Sequence, residues 1–186
     1  KNEGSGSATE FHQFCASVIR EGGDQDVDIL TSVANTSASG TSISNSGPEA
    51  ILHVRLRDGY RKTVAKLVDS FPSVFGSTAD WNFKIVLNAE FSNGEPTGSY
   101  NPVGRGLEFS ETKLLYIAGT GHPLVDISFV GGTFNGIKNL ALEQSVNGLN
   151  LGTNIDGEPD VISVIFDEPA FGNQTAAASL SFLEQL

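Results

Sequence analysis

Short runs of alternating hydrophobic and polar residues dominate this chain from about residue 27 onward. Each run has the length and the period-2 pattern of a half-buried β-strand, and Gly, Asn, Ser and Pro fill the segments between them. The clearest runs are DILTSV, AILHVRLR, NFKIVLNAEF, TKLLYIAG, LVDISFV, NLALEQ and DVISVIF. The pattern predicts a mainly β (β-rich α+β) domain, an antiparallel sandwich or barrel of about 7–10 short strands.

Two segments have apolar residues at helical spacing instead. Residues 10–21 carry a modest helical stripe, formed by Phe11, Phe14, Cys15 and Val18. In YRKTVAKLVDSF, residues 60–71, apolar side chains recur every three or four positions, and Pro72 would end a helix there. The domain is therefore predicted to include one or two short helices packed on the sheet.

The chain divides into a Gly/Ser-rich flexible N-terminal segment, residues 1–9, and a single β-rich globular domain, residues 10–186. Within the domain, residues 14–71 align without gaps to residues 125–182. This alignment predicts an internal duplication, with two related β-units packed about a pseudo-twofold axis. It also predicts a second helix over residues 173–183, where three consecutive alanines permit one.

Composition excludes several classes of partner. The net charge of −11 disfavours a nucleic-acid backbone or an anionic membrane surface. No apolar run is long enough to cross a bilayer as a helix, so membrane insertion is not expected. The chain begins at Lys1 and contains no Met. We therefore expect a chain processed from a leader, either secreted or imported into an organelle, with the compartment itself unknown.

The charges are unevenly distributed along the chain. Alternation along HVRLRD puts His53, Arg55 and Arg57 on one face of a strand, and the turn after it adds Arg61 and Lys62. After Lys138 every charged residue is acidic. The sequence thus predicts a basic face of His53, Arg55, Arg57, Arg61 and Lys62, and an acidic face of Asp156, Glu158, Asp160, Asp167 and Glu168.

Opposite charges of this kind can satisfy one another within the chain, or they can join it to a second copy or to a protein partner. A homo-oligomer or a complex with a protein partner is expected. Two other interpretations stay open. The same charges can form an ordinary solvated surface, and His53 with the two arginines can form an anion site.

Little in the sequence points to catalysis. His12 and Cys15 are three residues apart, which could lower a thiol pKa, but a buried inert Cys is the commoner case. Asp156, Glu158 and Asp160 alternate around Gly157, yet the EF-hand spacing is absent. The G-x-S-x-G, H-E-x-x-H and Walker motifs are also absent. We expect no cofactor and no metal site.

Two phrases resemble a known family. SFVGGTFNGIKNLAL resembles the strand–turn–strand of dirigent proteins, whose chains carry F-x-x-G-x-Y-N-G-x-x-L. About thirty residues earlier, FSNGEPTGSYNPVGRG resembles the dirigent stretch that ends in V-G-R. The resemblance covers residues 82–142. It implies an eight-stranded barrel of the dirigent and allene-oxide-cyclase kind, which binds an apolar small molecule and steers its coupling or cyclisation.

The resemblance implies four ligand-contacting residues, Arg105, Phe129, Phe134 and Asn135. The family's final hairpin, with its Gly-Gly-Thr-Gly and Arg-Gly, has no counterpart after Leu142. No catalytic residue is therefore carried over. The leading hypothesis from the sequence is a non-catalytic structural or interaction protein that acts through self-assembly or partner docking. The alternative is a dirigent-like barrel that binds an apolar small molecule.

Overall fold

The fold is a sandwich of two antiparallel sheets. The computed structural model describes residues 28–35, 41–44, 47–75, 80–96, 100–129, 140–141, 150–154, 156–167 and 174–185. Within these residues thirteen strands form the two sheets, and no helix is present. The predicted β class and the sandwich alternative are confirmed, because the described strands do not close into a barrel. The predicted flexible segment, residues 1–9, and the helix over residues 10–21 lie outside the described part of the chain.

The first sheet, sheet A, has two long strands at its centre. Its strands are β1 (Ile29–Ala34), β2 (Thr41–Ile43), β4 (Val64–Phe75), β10 (Leu140–Ala141), β11 (Asn150–Leu151) and β13 (Gln174–Gln185). The order across the sheet is β1-β13-β4-β10, with β2 paired to β13 and β11 paired to β4.

The second sheet, sheet B, contains the strand that was predicted to carry the basic face. Its strands are β3 (Glu49–Leu56), β5 (Trp81–Leu87), β6 (Asn101–Val103), β7 (Leu107–Ser110), β8 (Leu114–Leu115), β9 (His122–Phe129) and β12 (Val161–Asp167). The order is β6-β7-β3-β12-β5-β9, and β8 pairs with β3.

The strands pair in a nested order. β1 pairs with β13, β3 with β12, β4 with β10 and β5 with β9, all antiparallel. The first half of the chain therefore pairs with the second half in reverse, as in a long ribbon folded at the β5–β9 connection. Alternate pairs of the ribbon belong to opposite sheets. This is the connectivity of a jelly roll.

The main hydrophobic core fills the space between the sheets and is rich in aromatic rings. Trp81 stacks on Phe129 with ring centroids 4.1 Å apart, and Phe166 contacts both Trp81 and Phe83. A smaller cluster lies on the outer face of sheet B, where the segments around Phe91 and Leu114 cover the strands. Part of this outer face is therefore buried as well.

The helix predicted over residues 60–71 is wrong, because this segment begins strand β4. A bulge in the pairing with β13 leaves Val68 as an extra residue. Leu67 faces the core before the bulge and Ser70 after it, so the period-2 pattern is interrupted. Apolar residues on the two sides of the bulge therefore recur at the spacing of a helix rather than at that of a strand.

Pro72 fits within β4 because no hydrogen bond to β13 is lost there. It lies opposite Ala178, whose N–H donates to Asn35 Oδ1 at 2.7 Å. The carbonyl of Ala178 accepts the N–H of Asn35 at 3.2 Å. Both backbone groups of Ala178 therefore point away from Pro72, which has no N–H to offer.

The helix predicted over residues 173–183 is also wrong, since this segment is β13. From Ala176 onward its even-numbered residues face the core and its odd-numbered residues face away from it. The core-facing residues are Ala176, Ala178, Leu180, Phe182 and Glu184, and all of them are buried. This alternation is visible in the sequence, but the three adjacent alanines favoured the helical interpretation.

The segments proposed to be duplicated lie side by side in both sheets. Residues 49–55 pair with 161–166 in sheet B, and residues 64–75 pair with 175–185 in sheet A. A jelly roll brings these strand pairs together whether or not the two halves share an origin. The duplication stays a prediction.

Candidate interaction surface

Strand β3 has the two faces that alternation predicts, but one residue of the predicted basic face is not exposed. Leu52, Val54 and Leu56 face the core, and His53 faces the other way. His53 is nevertheless fully buried, because Phe91 and Thr112 lie over it. The prediction that His53 belongs to an exposed basic face or to an anion site is therefore wrong.

His53 is held by two hydrogen bonds. Its Nε2 lies 2.9 Å from the carbonyl oxygen of Thr112, and its Nδ1 lies 2.9 Å from Ser163 Oγ. A carbonyl only accepts, so Nε2 carries the proton and Nδ1 accepts from the serine hydroxyl. Burial lowers the pKa of His53 to about 4, although the hydrogen bond to Thr112 opposes the shift. The imidazole is thus neutral at physiological pH.

A serine hydrogen-bonded to a neutral histidine can serve as a nucleophile and its base. Both His53 and Ser163 are 0% exposed. A substrate cannot contact either side chain in this conformation, so the pair's role here is to join β3, β12 and the segment that contains Thr112.

Arg55 lies at the bottom of a cleft on the outer face of sheet B. Its Nε donates to Glu108 Oε1 at 2.6 Å, and its guanidinium lies 3.8 Å from the centre of the Tyr100 ring. Burial raises the pKa of Tyr100 to about 12, so the phenol stays protonated. Arg55 is committed to contacts within its own chain, and about a third of its side chain is exposed.

The other predicted basic residues lie around the turn between β3 and β4. Arg57 donates to the carbonyl of Arg105 at 2.7 Å and lies 4.8 Å from the centre of the Tyr60 ring. Arg61 pairs with Asp58 at 2.6 Å, and Lys62 is exposed.

The predicted acidic residues at 156–160 lie beside this basic turn. Arg61 Nη1 donates to the carbonyl of Gly157 at 2.7 Å. The side chain of Asn154 accepts the N–H groups of Asp156 and Glu158, and this fixes the loop. Residues of the predicted basic and acidic faces therefore meet within one molecule.

A cleft of about 480 Å³ marks this meeting point. Arg55 and Arg61 line it together with Glu95, Tyr100, Glu158 and Pro159. Asp160 accepts a hydrogen bond from Asn88 at 2.9 Å, and Asp167 lies at the far end of β12. Glu168 lies outside the described residues. We call Asp58, Arg61, Lys62, Asp156 and Glu158 the mixed patch, since they are exposed and carry both signs.

No family model, curated protein or solved structure matches this chain. Within the described ranges no helix is long and apolar enough to span a membrane. The same residues contain no group of three His, Cys, Asp or Glu side chains placed to hold a metal ion.

The ligand residues implied by the dirigent resemblance are not brought together where the structure describes them. Phe129 is buried in the core against Trp81. Arg105 is exposed in the turn between β6 and β7. Phe134 and Asn135 lie outside the described residues. The resemblance itself stays a prediction.

The turn that contains Arg105 holds a carboxylate of the same chain. Gly106 N–H donates to Glu184 Oε2 at 2.5 Å, and the Arg105 N–H lies 3.3 Å from both carboxylate oxygens. Thr31 Oγ1 donates to the same carboxylate. Glu184 is 1% exposed, so these donors replace water. Sequence reasoning missed this site, because Glu184 shows no local signal that separates it from the other acidic residues near the C-terminus.

A second surface is the outer face of sheet A. It was missed because β4 and β13 were interpreted as helices. It consists of Leu30, Ser32 and Ala34 on β1, Lys66, Asp69, Phe71 and Ser73 on β4, and Ala177, Ser179, Ser181 and Leu183 on β13. A hollow of about 180 Å³ opens in it beside Phe71, Ala34, Ala177 and Ser179.

Proposed function

We propose that this protein is a structural protein that works by binding copies of itself, rather than by catalysis. The observation that carries the proposal is the mixed patch, where Arg61 lies against Gly157 and shares a cleft with Glu158. Lys62 and Asp156, their neighbours in the chain, are exposed beside them. A surface with adjacent charges of both signs complements itself when two copies meet about a twofold axis. Basic residues of each copy then face acidic residues of the other.

The fold is compatible with this role. Jelly rolls occur in capsid shells, lectins and cupins, and the fold alone does not choose among them. Of these roles, shell building is the one that depends on contacts between copies of a chain. Arg55, Arg61, Glu95 and Glu158 line the cleft, and charged side chains of both signs fit a polypeptide surface better than an apolar small molecule.

The first test is the mass in solution, by size-exclusion chromatography with light scattering. We expect a mass above the 19.6 kDa of the monomer, with a share of the association weakening as salt rises. A monomer at every protein concentration and every ionic strength contradicts the proposal.

Charge reversal tests the patch itself. Lys62→Glu and Asp156→Lys each place like charges opposite one another at a twofold contact, so each variant alone should associate less. An equimolar mixture of the two restores opposite charges at both halves of the contact and should recover association. Ser128→Glu, on the exposed side of β9, is the control for an added negative charge. Absence of recovery in the mixture argues against the patch.

Binding of an apolar small molecule is the second candidate function, and the hollow beside Phe71 supports it. The hollow is mostly apolar but measures about 180 Å³, below the roughly 300–1,000 Å³ of usual ligand pockets. Titration with a fluorescent apolar probe tests it: saturable binding that Ala177→Trp abolishes supports the ligand function, and no binding contradicts it.

A further inference from the structure

Strand β1 lies at one side of sheet A, and among the described strands it pairs only with β13. Asn35 N–H donates to the carbonyl of Ala178, so the hydrogen-bonded positions of this antiparallel pair continue at the odd-numbered residues of β1. The N–H and C=O groups of Leu30, Ser32 and Ala34 therefore point away from β13. We call this row of backbone groups the β1 edge.

The β1 edge has none of the features that keep sheet edges from pairing. Natural edge strands are protected by charged residues, prolines, bulges or very short length. β1 reads ILTSVA, without charge or proline, and its pairing with β13 shows no register shift. In sheet B, the edge strand β9 contains Pro123 and Asp126, and the edge strand β6 is three residues long with Pro102 at its centre. The β1 edge is thus the least protected edge in the described part of the two sheets.

The sequence of β1 complements itself in an antiparallel pair. When Ser32 of one copy lies opposite Ser32 of a second, Leu30 of each copy lies opposite Ala34 of the other. All of these residues direct backbone groups to the edge, so the strands form about six hydrogen bonds. On the outer face a large side chain then lies beside a small one, and Leu30, which is 65% exposed, becomes partly covered. On the core side Thr31 lies opposite Val33, and β-branched residues pair well across strands.

The charges on the outer face of sheet A lie far from such a contact, because the second copy adds to the side of the sheet and does not cover its face. Lys66 and Asp69 are on β4, two strands from β1. With strands about 4.8 Å apart, the Asp69 residues of the two copies are roughly 24 Å from one another. This separation exceeds the Debye length of about 8 Å at physiological ionic strength.

We propose that a second copy of this chain pairs with the β1 edge, antiparallel and centred on Ser32, so that sheet A continues from one copy into the other. The inference rests on the proposed function, self-assembly, but uses a different surface from the mixed patch. Backbone hydrogen bonds supply the affinity, as in other cases of strand addition, and a twofold axis at Ser32 makes the contact isologous. Salt does not weaken this contact, since it screens the repulsion between two copies of net charge −11.

Ser32→Pro tests the contact, because it removes an N–H that points to the free side and none that bonds to β13. Leu30→Pro does the same near the start of the strand, and thermal melts check that both variants fold. We expect their dissociation constants for the salt-resistant association to rise at least about tenfold in light scattering at high salt. Ser32→Ala keeps the backbone N–H and is the matched control. It should associate as the wild type does.

Amide hydrogen exchange tests the edge in the unaltered protein. The N–H groups of Leu30, Ser32 and Ala34 should exchange fast in dilute protein and become protected as the protein concentration passes the dissociation constant. Those of Thr31 and Val33 bond to β13 and should be protected at every concentration. Equal protection of all five in a monomer means that another segment of the chain covers the edge, and it overturns the proposal.

Cysteine pairs test the register. The Cα atoms of a hydrogen-bonded antiparallel pair are about 5.5 Å apart, within the reach of a disulfide. In a Cys15→Ser background, Ser32→Cys should give a covalent dimer under mild oxidation. Leu30→Cys should not pair with itself, because the two residues lie roughly 13 Å apart along the strands, but it should pair with Ala34→Cys in a mixture. Self-pairing of Leu30→Cys as efficient as that of Ser32→Cys overturns the register.

The outcomes separate this inference from the proposed function. If charge reversal at Lys62 disperses the assembly while Ser32→Pro leaves all association unchanged, the inference falls and the proposed function stands. A wild type that is monomeric throughout overturns both. Loss of the salt-resistant association in Ser32→Pro, with the salt-sensitive part intact, supports the inference.

Discussion

Ser163 donates a hydrogen bond to Nδ1 of His53 at 2.9 Å, joining two strands whose residues are 110 positions apart in the chain. Ser163 lies on β12 directly opposite His53 on β3. The second ring nitrogen donates to the carbonyl of Thr112. Three segments that lie far apart in the chain are therefore joined by the hydrogen bonds of one neutral imidazole. Because the imidazole must stay neutral to keep these bonds, the stability of the fold depends on pH.

Acid should destabilise the protein through His53. In the folded state burial lowers the pKa of His53 to about 4, whereas in the unfolded chain it has the ordinary value of 6.5. Below pH 6.5 the unfolded chain binds a proton that the folded chain does not, so stability falls as the pH falls from 6.5 towards 4. The loss from this residue is about 3 kcal/mol at pH 4.

Urea unfolding at several pH values between 7 and 4 measures this loss, with the fluorescence of Trp81 as the signal. His53→Gln keeps a donor and an acceptor but no titrating ring, so its stability should fall less over that interval. His122→Gln, at an exposed position, should follow the wild type. Equal slopes for all three proteins refute the assignment.

Glu184 should be a large contributor to stability although it lies in the acidic C-terminal quarter. Its carboxylate accepts from the N–H groups of Arg105 and Gly106 and from Thr31. Glu184→Ala leaves these donors buried without an acceptor, at a cost of about 3 kcal/mol. Glu184→Gln keeps one acceptor oxygen, so its free energy of unfolding should fall by about half as much. The exposed Glu158→Ala should change the free energy of unfolding by less than about 0.5 kcal/mol.

Gly104 should not tolerate a side chain, because the carboxylate of Glu184 lies against it. A Cβ at Gly104 would overlap with Glu184 Oε1 and with the side chain of Thr31. Gly104→Ala should therefore destabilise the protein by at least about 2 kcal/mol. Gly59 also has a positive φ, but a Cβ there meets nothing within 4 Å. Gly59→Ala should cost only about 1 kcal/mol, so equal losses in chemical denaturation count against the overlap.

Local patterns predicted the strands better than the surfaces. The alternation of apolar and polar residues correctly predicted which side chains of β3 face the core. Apolar residues such as Leu52 and Val54 must be buried wherever the strand lies in the fold. Whether an outward residue is exposed depends on segments far along the chain. Phe91 and Thr112 cover His53, and no pattern near residue 53 encodes that.

The helices were predicted wrongly for a physical reason as well. The bulge at Val68 shifts the alternation of β4 by one residue, and short-range periodicity then looks helical. In β13 the propensity of three alanines concealed an alternating pattern whose buried members include Leu180 and Phe182. Because the outer face of sheet A is built from these two strands and β1, the wrong helix predictions hid it entirely.

The dirigent resemblance implies that Phe129 contacts a ligand, whereas the structure places it in the hydrophobic core. The two roles predict different effects when its side chain is truncated. Its ring stacks on Trp81 and is 8% exposed, at the end of strand β9. Phe129→Ala removes this packing and should cost about 3–5 kcal/mol, as other buried Phe→Ala changes do. The neighbouring Ser128→Ala, on the exposed side of the strand, should cost less than about 0.5 kcal/mol. Thermal unfolding measures both. If Phe129 served mainly to contact a ligand, its truncation would leave the melting temperature of the ligand-free protein near that of the wild type, and the core assignment would be wrong.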